Sequence, residues 1–348
     1  MTVVKIFKQP LVLIGTLFIL TILCISISYS LFVGPPDPLE TTLVYNDNGK
    51  LISKHPLPPS EKYPMGTDRD GVSMLYKIIQ GAKYTIGFAL VVAVCRMVLA
   101  ILASITFATF LKKLRPSFKS LFDSFTYAPA ALVVFVIVSP VIMIYSWAFT
   151  DTEKIIFTLA SLTFIALPAL ALTISEEITE IEKYEFITCA RSLGSSRLQL
   201  LLRHVKPFLS SRLFILFAQQ IVQVFLLLAH LGILGLFVGG TNLIVEDTSL
   251  EIGNQSEMVS SSASYEWSGL IAAAHDVITI YPWMIYFPVI ALTLTILAMV
   301  FIVEGLKNVL LKQKPSSIDR KKEKQATVQI SPIKTESFKF LHDNRKVM

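Results

Sequence analysis

This sequence predicts an all-α, polytopic membrane protein with six transmembrane helices, and three observations carry the prediction. The first is composition: of 348 residues, 53% are hydrophobic and only 16% charged, and the mean hydropathy is +0.63. That is too apolar for an ordinary soluble domain. The second is a count of runs. A helix needs roughly 20 apolar residues to cross a hydrocarbon core of about 30 Å, and six such runs occur: Leu11–Val33, Tyr84–Leu111, Phe125–Phe149, Ile155–Ser175, Leu213–Val238 and Pro282–Val303. Five of them contain no Asp, Glu, Lys or Arg, and the second contains one, Arg96. The third is the absence of strand-like alternation, which argues against a barrel.

Taken in order, residues 1–33 form a short N-terminus and the first span. Its apolar run is too long for a signal-peptide core, and Gly34-Pro35-Pro36-Asp37 follows it rather than a small-residue cleavage site, so it is expected to be retained. Residues 34–83 then form an extramembrane segment. Within it Gly66-Thr67-Asp68-Arg69-Asp70-Gly71 reads as a turn, with Asp side chains able to accept backbone N–H groups, and Val72–Lys83 as the start of an interfacial helix feeding the second span. Asp68 and Asp70 lack the other oxygen ligands of a twelve-residue calcium loop. Residues 84–308 hold the other five spans, with a loop over 176–212 and another over 239–281, and 309–348 form a tail of basic and polar residues expected to be disordered.

Orientation follows from Lys and Arg in short loops. The turn after span two has Lys112, Lys113, Arg115 and Lys119, and the 176–212 loop has Lys183, Arg191, Arg197, Arg203, Lys206 and Arg212. From Leu306 onward eleven Lys/Arg face four Asp/Glu, whereas Gly239–Tyr281 has six acidic residues and no Lys or Arg. Both termini are therefore expected in the cytoplasm. Residues 34–83 carry six Lys/Arg and fall outside, which their length permits. The net charge of +6 then reflects this bias and gives no reason to expect nucleic-acid binding. Cys24 and Cys95 fall in spans and Cys189 in a cytoplasmic loop, so no disulfide framework is expected.

The 176–212 loop has a helical pattern. Phe186, Cys189, Ala190 and Leu193 recur at i, i+3, i+4, i+7 as one apolar stripe. Gly194 can take the left-handed conformation that closes a helix, and Ser195-Ser196 can cap the next. A second stripe follows at Leu198, Leu201, Leu202 and Val205, with Gln199, Arg203 and Lys206 opposite, and Pro207 is expected to end it. Two readings of this hinged pair stand side by side: a membrane-surface element whose arginines meet anionic lipid headgroups, and a docking element for a cytoplasmic partner.

The stretch Glu185-Phe186-Ile187-Thr188-Cys189-Ala190-Arg191-Ser192-Leu193-Gly194, followed by His204-Val205-Lys206-Pro207, resembles the "EAA" coupling loop of ABC importer permeases. Ala190, Arg191, Leu193, Gly194, His204 and Pro207 agree with it; Thr188 stands where the motif has Glu, Cys189 where it has Ala, and Phe208 where it has Asn. A second stretch, Tyr63–Leu90, is similar to the segment before span two in permeases for dipeptides, oligopeptides and nickel complexes, with Pro64, Gly66, Thr67, Asp68, Gly71, Leu75, Ile79, Gly81 and Ala82 agreeing. A weaker likeness near the C-terminus includes Trp267, Pro282, Trp283 and Pro288.

This resemblance implies a type I ABC importer transmembrane domain working as half of a pore in a bacterial plasma (inner) membrane. It implies four partners: a second permease, two cytoplasmic ATPase subunits and an extracytoplasmic substrate-binding protein. It also assigns ATPase coupling to Glu185, Phe186, Cys189, Ala190, Arg191, Leu193, Gly194, His204 and Pro207. Peptides are the expected cargo, nickel or another small solute the alternative within the class, and an ATP-independent channel or scaffold with a lipid-binding loop the alternative from another class.

The chain has no G-x-x-x-x-G-K-[ST] to cradle a nucleotide, no H-E-x-x-H, no Cys/His ligand set and no G-x-S-x-G elbow, so neither catalysis nor a cofactor is expected of it. Two polar residues lie inside spans. Arg96 is expected either to be satisfied by carbonyls at a helix break or to line a pathway. His230 is expected to make an interhelical hydrogen bond in preference to relaying protons.

Overall fold

A computed structural model describes residues 6, 8–32, 43–45, 51–109, 119–120, 128–196, 199–238, 241–246, 257–262 and 264–311. The expected tail beyond Leu311, the basic cluster at 112–115, and Arg197 and Leu198 lie outside the described residues.

The described chain is predominantly α-helical. Helix α1 (Pro10–Phe32) begins on a proline, whose missing N–H has no partner to lose in a first turn. Helix α2 (Met74–Thr109) has 36 residues and merges the expected interfacial helix with the second span. At about 54 Å it is longer than the hydrocarbon core. Helix α3 (Ala130–Ser139) continues into a π-helical turn, Pro140–Ile144. Helix α4 (Asp151–Glu182) starts with a reciprocal cap: the Glu153 carboxylate accepts from the Thr150 N–H at 2.8 Å, and the Thr150 hydroxyl accepts from the Glu153 N–H at 3.4 Å. Then come α5 (Glu185–Ser192), a second π-helical turn (Leu200–Val205), α6 (Lys206–Ile233), the short α7 (Trp267–Ala273) and α8 (Trp283–Leu310).

Among the described residues five helices are long and apolar enough to cross a membrane. The run expected as the third span, Phe125–Phe149, instead holds a shorter apolar helix, Ala130–Ile144. Fifteen residues at about 1.5 Å each reach roughly 22 Å, short of the hydrocarbon thickness. Pro140 is part of the reason: the Tyr145 N–H reaches back five residues to its carbonyl at 2.8 Å, widening the helix where it ends.

The expected cytoplasmic loop is mostly helix. Helix α4 runs seven residues past Ser175, and Pro207 does not end the second amphipathic run. It sits in the first turn of α6, where a missing N–H is tolerated, and the π-turn before it leads directly into that helix.

Two antiparallel strand pairs lie in the segments expected outside the membrane: β1 (Leu43–Tyr45) with β2 (Leu51–Lys54), and β3 (Thr241–Glu246) with β4 (Glu257–Ser262). The second runs in register from Thr241 opposite Ser262 to Glu246 opposite Glu257.

Helix α2 packs against α4, α1 and α6, and α8 packs against α1 and α6. Helices α1 and α8 approach closely because Gly15 faces the backbone of Ala298 and Gly305 faces Val12; a Cβ on Gly15 would run into the Ala298 carbonyl oxygen. The buried apolar residues separate into two main clusters. One contains Ala89, Ala93, Val134, Leu162, Val224 and Trp267. The other contains Met97, Leu170, Ile178, Ile187, Leu201 and Val205.

Candidate functional site

The resemblance-assigned coupling residues lie on α5 and its closing turn, on the π-turn that follows and in the first turn of α6. Helix α5 begins after Tyr184, whose backbone is extended, and has Glu185 in its first turn and Arg191 in its last, each complementing the helix dipole. Gly194 closes it with φ of +87°. The Ser195 N–H bonds the Ala190 carbonyl at 3.2 Å and the Gly194 N–H bonds that of Arg191 at 3.0 Å, the paired closure that a left-handed glycine permits. Ser196 then caps the next turn. Its hydroxyl accepts from the Gln199 N–H at 3.3 Å, while the Gln199 side-chain oxygen accepts from the Ser196 N–H, also at 3.3 Å.

The buried face of α5 differs from the expected stripe. Its single fully buried side chain is Ile187, which joins Ile178, Ile181, Leu200, Leu201 and Val205 in the second cluster. Phe186 and Cys189 are exposed, Ala190 is half-buried and Leu193 is 88% exposed. The sequence stripe thus marks the free face of the helix, and the residue that seats it, Ile187, was not singled out by the i, i+3, i+4, i+7 pattern. The π-turn differs: Leu201 and Val205 of the expected second stripe are buried together with Leu200, while Leu202 is exposed, because the extra residue per turn rotates the register.

Phe186 meets Phe208 with ring centroids 5.3 Å apart, and Tyr184 lies 5.9 Å and 6.2 Å from the two. This half-exposed aromatic trio joins α5 to the start of α6. Charge pairs brace the same end of the bundle. Arg191 lies 3.6 Å from Glu182, Arg212 pairs with Glu177, and Lys119 donates to Glu176 at 2.8 Å. His204 is half-buried and Pro207 exposed. An open cavity of about 640 Å³ beside them is lined by Ser196, Gln199, Leu202 and Arg203. The site therefore presents exposed apolar side chains on a rigidly capped helix, rimmed by arginines. Such a surface can bind and transmit force; among the described residues no cluster of His, Cys, Asp and Glu is fit to hold a metal ion.

At the opposite end of α2, the pre-span motif is a buried polar knot. The Asp68 carboxylate accepts from the Val72 N–H at 2.7 Å and from Lys77 Nζ, and Lys77 also lies 3.5 Å from Asp70 and 5.0 Å from the Tyr265 ring centre. Thr67 Oγ1 accepts from the Leu57 N–H and shares a hydrogen bond with His55 Nδ1, both at 2.8 Å. The Thr67 carbonyl accepts from the Trp283 indole at 3.2 Å, which fastens the turn to α8. Gly66, at φ +73°, leaves no room for a Cβ between the Leu57 carbonyl and the Trp283 ring, and Gly71 also has positive φ. On Gly81 a Cβ would collide with the Tyr265 carbonyl oxygen. Pro64 is exposed at the rim.

Burial holds the His55 imidazole below its ordinary range. Sequence reasoning missed His55 and Lys77. No local pattern marks Lys77, which follows Asp68 by nine residues and has Ser73, Gln80 and Gly81 as helical neighbours.

Arg96 lies away from both ends, 1% exposed. Its Nε and Nη2 donate to the Leu162 carbonyl at 3.0 and 2.7 Å, and its Nη1 to Gln220 Oε1 at 3.3 Å. His230, expected to bond between helices, instead bonds the Leu226 carbonyl of its own helix from an exposed position.

No protein-family model matches the chain. It is similar to the di/tripeptide transport system permease protein DppC of Pseudomonas aeruginosa, 24% identical over 303 residues that cover 85% of this chain and 86% of that protein. It is similar to the peptide transport system permease protein SapC of Haemophilus influenzae, 23% identical over 86% of this chain and 90% of that one. A shorter match, 27% identical over 150 residues, covers 43% of the chain and 42% of the glutathione transport system permease protein GsiD of Shigella dysenteriae.

Proposed function

We propose that this chain is a membrane-spanning permease subunit of a bacterial ATP-driven ABC importer of peptides, contributing half of the translocation pathway. The observation that carries the reading is α5: its sequence resembles a coupling motif, it is seated by Ile187, closed by Gly194, and has Phe186 and Leu193 exposed. The likeness over most of the chain to permeases named for di/tripeptide and peptide transport supports the cargo class.

The partners are a second permease, two cytoplasmic ATPase subunits, an extracytoplasmic binding protein and the lipids of the inner membrane. Both termini lie in the cytoplasm, a placement supported by the Lys and Arg distribution. Hydrolysis belongs to the ATPase subunits, since this chain has no phosphate-binding loop of its own.

In mechanism, closure of the ATPase dimer moves the groove that receives Phe186 and Leu193. Glu185, Cys189, Ala190 and Arg191 complete that contact on α5, and His204 and Pro207 hold the π-turn behind it. Displacement of α5 reaches α4 and α6 through Ile187 and its buried neighbours, and the helices rock between two access states. The pre-span residues Pro64, Gly66, Thr67, Asp68, Gly71 and Gly81 fix the opposite end of α2.

Deleting the gene tests the reading. Uptake of a labelled di- or tripeptide is expected to fall to background and return with the intact gene, and the ATPase subunits are expected to co-purify with the permease. Unchanged uptake, or ATP-independent flux through vesicles containing this chain alone, would favour a channel.

A further inference from the structure

We propose that Arg96 is a positioning residue that locks the two packed halves of the bundle into one moving body. The inference rests on the transporter reading for its consequence, and on three structural facts for its substance.

First, Arg96 sits at the seam of the core. Along α2, Ala93 belongs to the first apolar cluster and Met97 to the second. Along α4, Leu162 belongs to the first and Leu170 to the second, with Pro168 between them. On α6, Phe217 packs against both clusters, and Gln220 follows it by one turn less a residue.

Second, its bonds join three helices. The guanidinium is carried on α2, two of its N–H groups converge on one carbonyl of α4, and a third reaches a side chain of α6. Leu162 is fully buried and Gln220 is 5% exposed.

Third, every bonded partner is neutral. A buried cation without a bonded carboxylate is expensive in a membrane interior, and such residues are retained for a role. Apolar contacts between helices are non-directional and allow sliding and repacking, whereas a planar fork fixes direction. A seam through the core, beside a proline that removes a backbone hydrogen bond from α4, is where a push from α5 would otherwise be absorbed. Ile187 delivers that push to the second cluster. Arg96 passes it to the first.

The test compares Arg96→Met, Arg96→Lys and Gln220→Leu in the intact importer with its ATPases, reconstituted in proteoliposomes. Peptide taken up per ATP hydrolysed is expected to fall about tenfold in Arg96→Met, the effect of losing a hydrogen bond to a charged group. It should fall less in Gln220→Leu, which keeps the Leu162 contacts, and Arg96→Lys should lie between Arg96→Met and the parent, since an ammonium can still reach that carbonyl. Uptake and hydrolysis falling in proportion, or an unchanged ratio in all three, would overturn the proposal.

A second readout uses the permease alone in nanodiscs. With the three native cysteines replaced, spin labels at Tyr84 and Thr173 report across the seam. Their distance distribution should broaden in Arg96→Met, and an unchanged distribution would also overturn the proposal. If the parent importer hydrolyses ATP but takes up no peptide, the cargo reading fails, and the spin labels still decide the lock.

Discussion

The ring of Phe186, on the free side of α5, lies 5.3 Å from that of Phe208 at the start of α6, the planes tilted by 36°. An aromatic pair of this kind contributes ~0.5–1.5 kcal/mol beyond its area. It closes the angle between the two helices from outside, while Ile187 and Val205 close it from within. The candidate coupling helix is therefore fixed on its permease side before any partner arrives.

The docking reading separates from the lipid reading by substitution at Leu193 and Gly194. A Cβ on Gly194 would meet no atom, so Gly194→Val acts only through the backbone, where φ of +87° costs a branched residue about 1 kcal/mol or more. Leu193→Asp alters an exposed side chain and leaves the permease fold intact. Both are expected to release the ATPase subunits from purified membranes or uncouple hydrolysis from uptake. Arg203→Gln, at the rim, should be milder. Normal transport by the first two with failure of the third would establish the lipid reading.

Ile187→Ala removes the anchor of α5. Its side chain is fully buried, so the expected loss is roughly 2–5 kcal/mol of local stability. Limited proteolysis should cut between Lys183 and Arg197 sooner than in the parent. Equal protection of that segment would mean that the aromatic trio and the charge pairs suffice to hold it.

Asp68→Asn breaks a buried ion pair and leaves Lys77 with the partly exposed Asp70, 3.5 Å away, as its remaining carboxylate. Removing one partner of such a pair costs ~3–5 kcal/mol, and the thermal midpoint in detergent should drop by several degrees. Adding Lys77→Met to Asp68→Asn should recover part of the loss, because a buried charge held only by the more distant Asp70 is gone. A double variant less stable than the single one would contradict the pairing.

The pH dependence follows from His55. Its folded-state pKa lies below the ordinary value of 6.5 because burial disfavours the imidazolium. The unfolded chain therefore binds the proton first as the pH falls. The stabilising contribution is complete above about 6.5 and declines as the pH drops from there toward the folded-state pKa. Thermal unfolding between pH 7.5 and 5 should show this slope in the parent and a shallower one in His55→Gln. Identical slopes would remove His55 from the account.

Topology is tested by cysteines at Ser262 and Ser316 in a background lacking the native three. An impermeant thiol reagent applied to intact cells should label Ser262→Cys, on β4, and spare Ser316→Cys. The reverse pattern would invert the orientation.

Much of the architecture was legible because the bilayer imposes a length and a polarity on each element. Five of the six apolar runs are long helices, and α2, α4 and α8 extend past the expected runs into polar residues that a hydropathy count leaves out. The run at Phe125–Phe149 was indistinguishable from the others by composition. Pro140, and the π-turn that begins with it, shorten the helix.

In the candidate site, Gly194 and the capping Ser196 were readable from sequence because turn chemistry is local: one residue's φ and one hydroxyl decide the geometry. Which side of α5 is seated was not. An apolar stripe says that a face seeks a partner, and the stripe of Phe186, Cys189 and Leu193 is the face left open, while Ile187 outside it found the core.

By itself the sequence determined the membrane class, five long apolar helices and the turn at Gly194, since each depends on residues near one another in the chain. Tertiary structure alone decided that Asp68 closes on Lys77, that Trp283 fastens Thr67, and that Arg96 finds Leu162 and Gln220, 66 and 124 residues away. Each pairing satisfies a polar group that packing removes from water, and for Arg96, inside the apolar spans, no water could take the partner's place. Which donor meets which acceptor depends on how the helices pack, and no local pattern encodes it.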